Sequence, residues 1–226
     1  DPHLHGHFLS IYNTNGRSIT SNLTMERSGK LANFRGIVTY KKSGDKSTPT
    51  YYLTNTGNNE INISTQFTNN NLKWSRKLYL STYNNNQGIL RGSHIGNLTD
   101  LENALEREVP FITKNSFSYS IAAPRQKVNH HLIKLENKLQ LSSESLLNIE
   151  VAHQINNRKE YDVRRGNRDS LPALNLSLNA SWVDAFYSYQ KNHRQLFFGI
   201  QNKFINNKNI AGTGILPLIP NYTLLN

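Results

Sequence analysis

Cysteine is absent from the 226-residue chain. That removes disulfides, thiolate metal sites and Cys nucleophiles, and leaves the redox compartment undecided. Charged residues are scarce at 18 %, and hydrophobic residues reach only 36 %, against a usual ~45–50 %. Long apolar runs are missing. The longest, Leu196 to Ile200, is five residues, where a membrane-spanning helix needs ~18. Thirteen glycines cannot fill every third position of a collagen repeat. The Ala, Glu, Lys, Leu and Arg excess of a coiled coil is also lacking. No GxSxG, HExxH, P-loop or GxGxxG occurs, so the chain is read as a non-enzyme with no cofactor.

Uncharged polar residues fill the gap, led by 32 Asn. The formal charge is +11 and the pI about 9.8, which favours anionic partners. The densest basic cluster is Arg158, Lys159, Arg164, Arg165 and Arg168, diluted by Glu160, Asp162 and Asp169. No nucleic-acid motif surrounds it, so nucleic acid is not expected as a partner. The chain opens at Asp1 without a Met or an apolar leader, and Gly214–Asn226 reads like a further apolar segment cut short. The expectation is a processed protein or a fragment.

Strict alternation is the main pattern. Ile61, Ile63 and Phe67 alternate with polar residues, as do Ile133, Leu135, Leu139 and Leu141, then Leu147, Ile149 and Val151, and the Leu174–Trp182 series. Successive strand side chains face opposite ways, so each segment has an apolar and a polar face. Nine strands are predicted, near 7–13, 18–27, 32–41, 60–69, 72–83, 128–141, 146–157, 173–189 and 195–205. Tight connections at 28–31, 70–71, 142–145 and 190–194 alternate with long ones at 42–59, 84–127, 158–172 and 206–219. Tight turns should gather at one end of the sheet and long loops at the other.

Long strands with that asymmetry predict an all-β fold: an antiparallel transmembrane β-barrel with long extracellular loops. A soluble antiparallel sandwich would alternate in the same way. Ile61, Ile63, Leu135, Leu139, Ile149, Val151, Leu176 and Leu178 should point out, and Asn62, Lys134, Glu136, Glu150 and Asn179 into the wet side. Tyr40, Tyr51, Tyr52, Trp74, Tyr83, Trp182, Tyr187 and Tyr189 suit an aromatic girdle. Arg76 and His153 fall on apolar faces. A bulge at Trp182–Val183 would realign the later part of its strand. One short loop helix is expected over about 99–108, capped by Thr99 and Glu102, with Leu101, Ala104 and Leu105 on one face.

Candidate binding residues follow from chemistry. His3, His5 and His7 alternate, so an extended chain would align three imidazoles as metal ligands. His130 and His131 point oppositely and cannot chelate together. His94 sits in the longest loop. Arg158, Tyr161, Arg164 and Arg165 offer an anion-binding loop, since Arg pairs bidentately with carboxylate or phosphate. Internal pairing of these arginines with Glu160, Asp162 and Asp169 is the other reading.

Three segments carry a resemblance. Gly92-Ser-His-Ile-Gly-Asn-Leu-Thr-Asp100, Arg158-Lys-Glu-Tyr-Asp-Val-Arg-Arg-Gly166 with Leu171-Pro-Ala-Leu174, and Gly212-Thr-Gly-Ile-Leu-Pro-Leu-Ile-Pro-Asn-Tyr222 occur in this order. Together with Asp1-Pro-His-Leu-His-Gly-His7 they resemble TonB-dependent outer-membrane receptors of the Bacteroidota type, over the whole chain. The resemblance implies that residues 1–226 are about nine of 22 barrel strands, with the plug absent. It implies uptake of a bulky solute such as a ferric siderophore, bound by extracellular loops. The implied partners are the rest of the barrel and plug, TonB-ExbB-ExbD, and outer-membrane lipid and lipopolysaccharide. Rival readings are a soluble or surface β-rich binding module, an adhesin or glycan binder, and a small passive porin.

Overall fold

The structure is a computed structural model that describes residues 2–93, 97–109, 112–164, 168–210 and 222–225. Its strands are β1 (His5–Asn13), β2 (Ser18–Arg27), β3 (Asn33–Ser43), the two-residue β4 (Lys46–Ser47) and β5 (Tyr52–Leu53), β6 (Asn58–Asn70) and β7 (Trp74–Gly88). A helix, α1 (Leu98–Leu105), precedes β8 (Arg125–Ser142), β9 (Ser145–Tyr161), β10 (Leu174–Lys191), β11 (Arg194–Asn209) and β12 (Tyr222–Leu225). One sheet holds nine long strands and the short β12 in the order β1-β2-β3-β6-β7-β8-β9-β10-β11-β12. Every pairing in it is antiparallel. Its first and last strands do not pair, so among the described residues the sheet is open.

The nine predicted strands match the nine long ones closely. An antiparallel meander reverses direction at each connection, so the tight β2–β3, β6–β7, β8–β9 and β10–β11 turns share one end, and the 44–57, 89–124 and 162–173 loops share the other. Local chemistry makes these turns. Asn71 Oδ1 accepts from the amides of Lys73 (3.0 Å) and Trp74 (2.8 Å), an Asx turn between strands. Gly29 N donates to Ala32 O at 3.1 Å, and Asn192 takes a φ of 50°.

Cross-strand partners lie on the same face, so the ladder sorts every side chain. One row runs Phe34–Phe67–Leu78–Leu135–Val151–Val183 across six strands. Around it Val38, Ile63, Leu80, Ile133, Leu139, Ile149 and Phe198 complete an apolar face. The other face carries Gln66, Tyr79, Lys134, Ala152 and Trp182 in one row.

Nothing covers the apolar face among the described residues. No second sheet stacks on it, and the only buried hydrophobic residues are Ala123, Ala152 and Ala180. Phe8, Ile63, Ile133, Val183 and Phe198 are all at least 39 % exposed. The accessible surface is 15257 Å², whereas a compact monomer of this mass exposes about 10,500 Å². The sandwich reading requires a second layer, and the described residues provide none.

The apolar belt is also oblique to the ladder. On β11 it centres on Phe198, which the register carries through Tyr187, Leu147 and Leu139 to Trp74. On β1 it centres on Ser10, between Phe8 and Tyr12, which the register carries through Ser21, Tyr40 and Ile61 to Asn84. The belt therefore slides about ten residues over eight strand steps, a tilt of roughly 40° for ~3.3 Å per residue and ~4.8 Å per step.

Several expectations are corrected. The β9–β10 pairing is unbroken from Leu174 to Tyr189, so no bulge occurs at Trp182–Val183. Leu176 and Leu178 therefore share the polar face with Arg158 and Asn156, and Asn179 lies on the apolar face. Of the expected girdle, Tyr40, Trp74, Tyr187 and Tyr189 do lie on the apolar face, Tyr83 and Trp182 lie on the polar face, and Tyr51 and Tyr52 belong to the loop end. Arg76 and His153 sit on the apolar face as expected. Arg76 lies 4.5 Å over the Trp74 ring, and His153 Nδ1 contacts Ser181 Oγ at 2.8 Å. The helix is capped two residues earlier than expected: Asn97 Oδ1, rather than Thr99, accepts from the Asp100 amide at 2.9 Å. Leu98, Leu101 and Leu105 on it are exposed.

Candidate functional site: a loop junction above two unlike faces

The loop end is organised by two buried polar residues, Asp45 (2 % exposed) and Asn55 (6 %). Asp45 Oδ1 accepts from the amides of Asn55 (2.7 Å) and Thr56 (3.3 Å). The Asn55 side-chain amide donates to Ile89 O (2.9 Å) and Pro124 O (2.7 Å), and its Oδ1 accepts from Ala122 N (2.8 Å). One side chain thus joins three chain segments, adding to the Ile89 N to Pro124 O bond (2.9 Å) that already links two of them. Asn tolerates the left-handed backbone found here, φ 62°. Gly88 is required beside it, since a Cβ there would overlap the Asn55 carbonyl.

Further contacts knit the junction. Asp45 N donates to Ser118 O (2.9 Å), and Tyr52 N to Lys114 O (3.2 Å). Phe117 packs edge-on against Tyr52 and Tyr119, and the Arg17 guanidinium lies 4.3 Å over its ring. Tyr119 Oη donates to Arg17 O at 2.8 Å. The β1–β2 turn, the 44–57 loop and the 112–124 segment form one body.

Below it the two faces differ in charge as well as in polarity. All six carboxylates of the long strands, Glu26, Glu60, Glu136, Glu150, Glu160 and Asp184, lie on the polar face. There most of them pair with cations, within a strand or across strands. Lys134 Nζ reaches Glu136 (2.6 Å) and Glu150 (3.5 Å), Lys77 reaches Glu136 (3.8 Å), and Trp182 Nε1 donates to Glu150 (3.0 Å). Lys41 pairs with the largely buried Glu60 at 3.1 Å. No strand carboxylate lies on the apolar face.

The sequence candidates do not converge. Arg158 lies on the polar face, bonded to Glu160 at 2.5 Å. Tyr161 lies opposite Arg125 on the other face, with the Arg125 guanidinium 4.5 Å over its ring. They cannot share one pocket. Arg164 contributes its backbone amide to Asp169 Oδ1 at 2.7 Å. Internal pairing thus holds for Arg158 with Glu160. His94 and Arg165 lie outside the described residues. His5 and His7 share the polar face of β1, opposite Glu26 and Thr24, while His3 precedes the strand. Among the described residues, no group of three or more His, Asp or Glu is gathered as metal ligands, so the terminal histidines do not form that cluster. His130 and His131 do face oppositely, toward Asn156 and Thr82.

Sequence reasoning missed Asp45 and Asn55. Their only local signal is a Gly-Asp and a Thr-Asn-Thr-Gly turn pattern, which says nothing of partners 67 residues away. Comparison with protein families, characterised proteins and solved structures finds no match.

Proposed function

We propose that this chain is part of the wall of an outer-membrane β-barrel, and that the barrel is a TonB-dependent receptor taking up a bulky solute such as a ferric siderophore. The observation that carries the reading is the uncovered, carboxylate-free apolar belt, crossing the strands at roughly 40°. Barrel strands tilt by ~35–45° in a membrane, so a horizontal hydrocarbon slab meets them as such an oblique belt. On β8 the belt runs from Ile133 to Leu141, close to the ~9–11 residues a tilted strand needs to cross.

Other features support it. Hydrocarbon leaves no unpaired backbone in place, so the free edges of β1 and the last strand require further strands, supplied by the rest of the barrel. The ion-pair network on the polar face suits a wet lumen and a plug. The described parts of the segments that carry the receptor resemblance, 92–93, 97–100 and 158–164, lie in the long connections or at the strand end that leads into one, at the loop end of the sheet.

The test uses the full-length chain in its own cell. Fractionation should place it in the outer membrane and require detergent for extraction; recovery in the soluble fraction rejects the membrane reading. A deletion strain should lose uptake of labelled ferric chelate, and a protonophore should stop uptake in wild type. Uptake that survives the protonophore identifies a passive pore instead.

A further inference from the structure

Two rows of the apolar face cross the same six strands. The first is Phe34–Phe67–Leu78–Leu135–Val151–Val183. The second lies eight residues closer to the loops on every strand: Lys42–Asn59–Asn86–Lys127–Lys159–Asn175. The second row holds only cations and amides. Lys127 and Lys159 stand directly opposite each other, an arrangement that repels unless an anion bridges it.

The described residues do not supply that anion: among them no carboxylate occupies this face of the strands, and no ion pair forms at Lys127 or Lys159. Lys127 leans toward the Tyr161 ring at 5.9 Å, beside Arg125. At the turn end three cations of this face are engaged: Lys191 pairs with Glu144 at 3.3 Å, Arg76 covers Trp74, and Arg27 Nε donates to Pro2 O at 3.0 Å. Against the second row lies an open depression of about 310 Å³ lined by Asn59, Asn84, Asn86, Lys127 and Asn129, with Ile61 at its apolar edge.

Height matters as much as charge. Eight residues measure roughly 26 Å along a strand, and roughly 20 Å along the normal when the strand tilts by ~40°. Half a hydrocarbon core is ~15 Å. Lys127, counted from Leu135, the level at which the sliding belt centre crosses β8, stands at headgroup level. We infer that the Lys127–Lys159 pair, with the depression beside it, is a binding site for a phosphate group of an anionic lipid in the leaflet on the loop side, the two lysines clasping the phosphate and the amides of Asn86 and Asn129 donating to its neighbouring polar groups. The inference rests on the membrane reading.

The experiment uses the full-length protein reconstituted in phosphatidylcholine nanodiscs containing diphosphorylated lipid A, with retained lipid A measured by mass spectrometry. The Lys127→Gln/Lys159→Gln variant should retain lipid A about tenfold more weakly or worse, at ~1 kcal/mol per lysine near an anionic surface. The turn-end Arg76→Gln/Arg194→Gln variant should stay within about twofold of wild type. Dephosphorylated lipid A should bind wild type and variant equally and weakly. Equal retention of diphosphorylated lipid A by wild type and the lysine variant overturns the inference. Displacement by inorganic phosphate also overturns it, by making the site a general anion site. Protein that never enters the nanodisc fails the membrane reading instead, so the two failures are distinct.

Discussion

The loop junction and the apolar belt satisfy opposite requirements. Around Asn55 the chain buries polar groups and pairs them with its own backbone, through contacts that skip 34 and 69 residues. Along the belt the chain shows large apolar side chains and covers none of them. The junction is finished by the polypeptide itself; the belt is finished by its surroundings. The two regions should therefore fail differently. Damage to the junction is local and should leave the strands in place. Damage to the belt changes how the sheet meets its solvent.

The largest effect is expected in mid-belt. Leu135→Arg places a charge at the centre of the slab and should cost about 2–4 kcal/mol of assembly, seen as loss of the heat-modifiable band of the full-length barrel. Ser81→Arg, on the polar face, should keep that band. Equal loss from both would erase the distinction between the faces.

Next comes the junction. Asn55→Ala takes the side-chain partner from the Ala122 amide and the Ile89 carbonyl and leaves Pro124 O with only its bond from Ile89 N, at about 1–3 kcal/mol. Limited proteolysis should then cut within 44–57 or 112–124, while fractionation stays unchanged. If the protein instead leaves the membrane, the junction is not a separable unit.

A smaller effect belongs to the basic loop. Arg158→Ala removes one half-exposed ion pair, worth about 0–1 kcal/mol. With Arg164→Ala and Arg165→Ala added, unchanged uptake would take these residues off the ligand path. A loss that deepens at low salt would put them on it. No effect is expected from replacing His3, His5 and His7 with Ala, read as the zinc content of the purified protein.

Much of this comparison is legible in the amino-acid order. Period-two alternation and Asn- or Ser-rich punctuation mark the strands, because a sheet with unlike faces needs both. Alternation does not say which face is which. The Leu174–Trp182 series looks like a belt segment, yet register against β9 matches Val151 with Val183 and sends the leucines to the polar side. The charge segregation has the same origin: Lys127 and Lys159 are ordinary residues until the ladder sets them opposite each other. The Asn55 hub was hidden because hydrogen bonds between distant loops leave no period. Thr99 and Asn97 compete as caps with equally good side chains, and only the position of the first helical turn decides between them.

Finally, each long strand of the sheet lies beside its nearest long neighbours in the chain, from β1 to β11. Such an order lets assembly proceed by zipping. Two residues connect β8 to β9, whereas 36 separate β7 from β8; closing the longer loop costs about 2.6 kcal/mol more in chain entropy. The five tightly connected hairpins, β1–β2, β2–β3, β6–β7, β8–β9 and β10–β11, should form first, with the long-loop pairings joining them afterwards. Pulse-labelled hydrogen exchange during refolding would see this as early protection within hairpins. Simultaneous protection across β7–β8 would mean that the loop junction, and not the turns, starts the process.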